Sequence, residues 1–102
     1  EKVVRKHFPN SFRETDLLET LRGLGATRLT ICGMMTNMCV DAGVRAAADL
    51  GFACRVVSDA CAARPLAFGG VEVPEPQVHA AFLCALSLAY AQVAPAAELD
   101  LP

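Results

Sequence analysis

Short β-like runs and helical patterns alternate along this chain, each helix closed by a glycine or a turn, and this order restricts the folds open to it. Val3 and Val4 within residues 2–5 read as a first strand, followed by a loop over residues 7–12. Thr15 or Asp16 then caps a helix, with Glu19 in capping-box position and Leu17, Leu18, Leu21 and Leu24 as its apolar stripe. Gly25 stops it. Residues 29–32 form a second strand ending at Gly33. A helix over residues 38–50 follows, with Val40, Val44, Ala47 and Ala48 on one face and Asp41, Arg45 and Asp49 on the other. Gly51 ends that helix, residues 52–57 make a third strand, and a loop over residues 60–74 leads to a helix at residues 76–92. Strand–helix alternation with short turns predicts a three-layer α/β/α arrangement around a parallel, Rossmann-like sheet.

The last helix is apolar nearly all round, with Val78, Phe82, Leu83, Leu86 and Leu88, so burial on more than one face is expected. A surface that a single sheet face cannot hide predicts a homo-oligomer.

Composition removes several function classes. The chain has 102 residues, enough for one domain or less, and 54% of them are hydrophobic, which suits a packed core. Nine basic against eleven acidic residues give a net charge of -2, which argues against nucleic acid as a partner. The longest apolar stretch, residues 78–93, is interrupted by His79, Ser87 and Gln92, so no membrane span is predicted. The first residues lack the apolar core of a signal peptide. Five cysteines, an odd number, then fit reduced thiols in a cytoplasmic protein. Cys32/Cys39 and Cys54/Cys61 are each spaced by seven, too far for a zinc knuckle, so neither a metal nor a cofactor is implied.

Ligands of open α/β sheets bind beyond the carboxyl ends of the strands. Residues 29–32 deliver the chain to such an edge at Gly33, and the turn that follows feeds a helix whose first turn contains Cys39. A thiol there meets unpaired N–H groups and the positive end of the helix dipole, both of which favour the nucleophilic thiolate. The same N–H groups can hold an oxyanion. Position alone leaves Cys39 open between a nucleophile and an inert core thiol. Cys32, Cys54 and Cys84 read as core, and Cys61 as a packing residue close to the same edge.

Gly33-Met34-Met35-Thr36-Asn37-Met38-Cys39-Val40-Asp41 resembles the G-x-x-T-x-x-C-V signature of the isochorismatase-like cysteine hydrolases, which include nicotinamidases and N-carbamoylsarcosine amidohydrolase. The likeness extends through Lys6-His7-Phe8-Pro9-Asn10-Ser11-Phe12, Thr15-Asp16-Leu17 and Ser58-Asp59-Ala60-Cys61.

By motif position, the resemblance implies Cys39 as nucleophile and Lys6 as the lysine of an Asp–Lys–Cys triad. It also implies a cis peptide between Met34 and Met35, which turns the Met35 N–H, with that of Cys39, toward an oxyanion. Phe8, Phe12, Thr36 and Met38 are candidate pocket residues. The triad aspartate has no counterpart here, and Asp59 reads as a turn cap. The chain is therefore expected to be the C-terminal portion of a hydrolase domain, inactive by itself. True isochorismatases cleave a vinyl ether and lack the cysteine, so the resemblance implies a small amide substrate. Two other readings stand beside this one: a non-catalytic binding or oligomerisation module of the same fold, and a redox thiol protein pairing Cys39 with Cys32 or Cys61.

Overall fold

The computed structural model describes all 102 residues. Three parallel strands form its sheet: β1 (Arg28–Met34), β2 (Ala53–Ala62) and β5 (Ala91–Ala94), in the order β1-β2-β5. Helix α1 (Leu17–Gly23) precedes β1, α2 (Asp41–Asp49) connects β1 to β2, and α3 (Glu75–Ala89) leads into β5. A small antiparallel hairpin, β3 (Leu66–Phe68) and β4 (Val71–Val73), stands apart from the sheet. The parallel α/β class is as expected. Of the three layers, these residues supply the sheet and one helical layer.

Strand periodicity explains the single core. Along β1, Leu29 and Ile31 are half-buried while Arg28, Thr30 and Cys32 are exposed. Cys54 and Val56 of β2 lie on the helix side with Val93 of β5. Val44 and Ala47 of α2 and Leu83 and Leu86 of α3 close over them, and Val44, Val56 and Leu86 are wholly buried. Phe12 joins this cluster and stacks on Phe52, ring centroids 6.3 Å apart. On the other sheet face Arg55 donates to Thr30 Oγ1 and to the Asp100 carbonyl.

Helix ends follow local chemistry. Gly25 N–H donates to Arg22 O and Ala26 N–H to Leu21 O, the paired bonds of a Schellman motif. Gly51 and Phe52 repeat that pattern on Ala48 and Ala47. Arg45 Nε pairs with Asp41 Oδ1 at 3.0 Å, as the four-residue spacing predicts.

Several expectations are corrected. Residues 2–5 form no strand: they do not join the sheet, whose edge at β1 stays unpaired, and Val3 is 84% exposed. No capping box forms at α1. Asp16 turns instead to Lys2 Nζ at 2.9 Å, and Thr15 Oγ1 accepts the Leu17 N–H. Leu24 of the anticipated stripe is exposed.

The loop over residues 60–74 contains the end of β2 and the hairpin. Gly69 and Gly70 both have positive φ, +58° and +80°, as a two-residue hairpin turn demands. The last helix stops at Ala89, and Ala91–Ala94 joins the free edge of β2 as a parallel strand, a ladder that outweighs the weak strand preference of Ala and Gln. Only one face of α3 is buried within this chain. Leu88 is 80% exposed, and Cys84 and Cys32 lie on exposed faces outside the core.

Candidate active site

The site grows from the exit of β1. Gly33 has φ +140°, a region that side-chain-bearing residues rarely adopt, and the Met34–Met35 peptide is cis. Residues Thr36–Val40 then form a π-helical turn that runs straight into α2. Met35 O accepts the N–H groups of both Met38 and Val40, at 3.0 and 3.2 Å, which holds the turn closed. The Met35 N–H itself has no backbone acceptor. Cys39 therefore sits in the first turn of a continuous helical run, half-buried beyond the carboxyl end of β1.

Lys6 approaches from the N-terminal segment. Its Nζ lies 3.4 Å from Cys39 Sγ, 2.9 Å from Phe8 O and 3.3 Å from Pro9 O. An ammonium has three N–H donors, and each has a partner here. The carbonyls at Phe8 and Pro9 accept two of them and aim the third at sulfur. No carboxylate pairs with Lys6, since the ion pairs of the chain are Lys2–Asp16 and Arg45–Asp41. Asp59 acts elsewhere, where its Oδ1 accepts the Ala96 N–H at 2.9 Å and ties the C-terminal segment to β2.

Two cavities flank the turn. The first, about 320 Å³, is bordered by Lys6, Cys39, Met34 and Cys32, with apolar walls from Phe12, Leu17, Leu21, Leu29 and Ile31. The second, about 410 Å³, is bordered by Met35, Asn37 and Met38 with Arg64, Pro65 and Leu66. The anticipated pocket residues are thus divided. Phe12 shares the first cavity with Cys39, whereas Met38 borders the second. Phe8 lines neither; its ring lies under the Arg13 guanidinium, 3.7 Å from the centroid. Thr36 also lines neither, because it is fully buried and its hydroxyl meets His79 Nδ1 at 2.9 Å. His79 Nε2 in turn lies 3.1 Å from Ser58 O. Sequence reasoning gave His79 no site role, though a single imidazole in an otherwise apolar helix was the available signal.

The five thiols differ in environment and all are free. Burial pushes the Cys54 thiol up from its ordinary value. It also raises Cys61, against a smaller lowering by a backbone hydrogen bond at Gly33. No three His, Cys, Asp or Glu side chains converge as a metal-binding set, and no helix is long and apolar enough to cross a membrane.

A parallel sheet covered by helices, with a cysteine and a lysine ammonium meeting at a strand-to-helix turn, defines a parallel α/β protein. The chain belongs to the isochorismatase family, whose isochorismatase-domain sequence model matches residues 1–98. It is 48% identical over 93 residues to YddQ, an uncharacterized isochorismatase family protein of Bacillus subtilis strain 168, covering 91% of this chain and 52% of that protein. The fold is similar to the crystal structure of an isochorismatase from Pseudomonas putida KT2440, with a TM-score of 0.94 at 41% identity, covering 97% of this chain and 51% of that one. It is also similar to a cysteine hydrolase from Pseudomonas syringae pv. phaseolicola 1448A, with a TM-score of 0.92 at 27% identity over 96% of this chain and 46% of that one. The chain spans about half the length of these relatives.

Proposed function

We propose that Cys39 is the nucleophile of a hydrolase that cleaves a small amide-like carbon–nitrogen bond. The Lys6 Nζ to Cys39 Sγ contact of 3.4 Å carries this reading, since an ammonium so placed stabilises negative charge on sulfur. The thiolate attacks the carbonyl carbon and forms a C–S bond while the carbonyl electrons move onto oxygen. The unpaired Met35 N–H and the Cys39 N–H are the candidate donors to that oxyanion. Collapse expels the nitrogen as ammonia or an amine after protonation. Water then attacks the thioester, releasing the carboxylic acid and restoring the thiol.

Lys6 has all three N–H groups engaged, so its part is charge stabilisation, and the proton needs a separate acceptor. No carboxylate contacts Lys6 or Cys39 within these residues, so the 102-residue chain is expected to label at Cys39 without turning over. The likeness to the cysteine hydrolase supports thiol chemistry. A cytoplasmic setting that keeps five thiols reduced belongs to the same reading.

Ammonia release from nicotinamide and from N-carbamoylglycine, by a polypeptide of the relatives' length containing these residues, tests it. Turnover lost in Cys39→Ala is expected, and turnover that survives this change overturns the assignment.

One observation favours a second reading, a self-associating module: the outer face of α3 exposes Leu88 and Cys84 with no charged residue between Glu75 and Tyr90. Under that reading Cys39 alkylates no faster than Cys54.

A further inference from the structure

Thr36 is the one fully buried polar residue of the chain, and its only side-chain partner is His79 Nδ1. The direction of this bond follows from the other side of the ring. Ser58 O is a carbonyl and can only accept, so in the neutral ring Nε2 carries the proton and Nδ1 is the acceptor. In that form of the ring the Thr36 hydroxyl donates to Nδ1. Two hydrogen bonds join the middle of β2, the N-terminal half of α3 and the turn that carries Cys39.

Thr36 is bound to that turn from both sides. Its carbonyl accepts the Asp41 N–H across the π-helical ring, and Met35 O just before it receives Met38 and Val40. The backbone thus ties Thr36 rigidly to Cys39 three residues on, and its side chain ties the whole turn to α3. His79 borders neither of the two cavities beside the turn.

We propose that His79 is a positioning residue, which through its Nδ1 bond to Thr36 fixes the turn that presents Cys39 to Lys6. The proposal rests on Cys39 as the nucleophile, but its test does not need turnover. Mass-mapped labelling of the 102-residue chain with iodoacetamide reads the rate at Cys39, with Cys84 on the exposed α3 face as internal reference and circular dichroism as the check on folding. His79→Phe and Thr36→Val each slow Cys39 labelling by about tenfold or more, as loss of a fixed geometry does. The double variant is no slower than the slower single one, because both changes cut the same bond. Thr36→Ser keeps the donor and restores the parent rate, which a role in packing alone would not produce.

Folded Thr36→Val or His79→Phe variants that label at the parent rate overturn the proposal, as does a Thr36→Ser variant that stays slow. Nitrogen-15 spectra of the unmutated chain give a second reading that needs no variant. A ring protonated at Nε2 alone is expected, and a ring protonated at Nδ1 overturns the proposal. Failure of the hydrolase reading shows elsewhere, as amide turnover that survives Cys39→Ala.

Discussion

Lys6 Nζ and Cys39 Sγ lie 3.4 Å apart across thirty-three residues of chain, and the carbonyls of Phe8 and Pro9 hold the same ammonium in place. Removing the charge while keeping the length, in Lys6→Met, is expected to slow iodoacetamide labelling of Cys39 by about tenfold, the scale on which a neighbouring cation alters thiol reactivity. Lys6→Arg is expected to rescue little, because a planar guanidinium cannot reproduce three converging N–H bonds. Mass-mapped labelling rates near neutral pH check both, and a Lys6→Met variant labelling at the parent rate contradicts the prediction.

Cys54 and Cys61 should behave in the opposite way. Burial raises both thiols above their ordinary value, so each stays protonated at pH values where an unfolded thiol, near 8.5, has begun to ionise. The folded chain then binds more protons than the unfolded one. The stability this contributes is fully present below the unfolded value and is lost as pH rises through the folded values. Urea midpoints are expected to fall on the alkaline side, with a shallower fall in Cys54→Ala after correction for its constant loss of packing. A midpoint that rises with pH there would contradict the linkage.

Two glycines separate backbone strain from backbone entropy. Gly33 has φ +140°, so Gly33→Ala is expected to destabilise by about 1–3 kcal/mol. Gly43 is helical, and a methyl group there meets no atom within 4 Å, so Gly43→Ala should stabilise by about 0.5–1 kcal/mol. Denaturant titrations that return the same sign for both would refute the assignment of the two conformations.

Leu86 and Leu88 point to opposite sides of α3. Leu86 is wholly buried, and truncation to Ala is expected to cost about 2–5 kcal/mol. Leu88 is 80% exposed, so Leu88→Glu should leave the fold's stability nearly unchanged while weakening self-association. Light scattering over a concentration series reads the second effect. A parent chain that stays monomeric throughout removes the oligomer from the proposal.

Much of the architecture was legible because it is local. The leucines of α1, the stripe Val40–Val44–Ala47 of α2 and the glycine after each of these two helices depend on spacing and backbone preference alone, and they appear where the sequence places them. The turn from Gly33 to Cys39 was legible as a motif, because its residue types at those separations are distinctive. What failed was non-local. Residues 2–5 have strand-like composition yet do not pair with the open edge of β1, whereas Ala91–Ala94 has poor strand composition and pairs along β2. Cys32 and Cys84 resemble core thiols by composition, yet each falls on a face that nothing in the chain covers.

By itself, then, the sequence determined the alternation of strands and helices and the turn carrying Cys39, while Lys6 entered as its partner only through the resemblance to the isochorismatase-like hydrolases. Periodicity, glycine stops and a short motif require only neighbouring residues. The tertiary structure decided which segments pair, which faces are buried, and that Phe12 shares a cavity with Cys39 while Phe8 and Thr36 do not. It also assigned His79 a partner. Its bonds to Thr36 and Ser58 span 43 and 21 residues, and no local pattern encodes a contact that exists only once α3 has packed against the sheet.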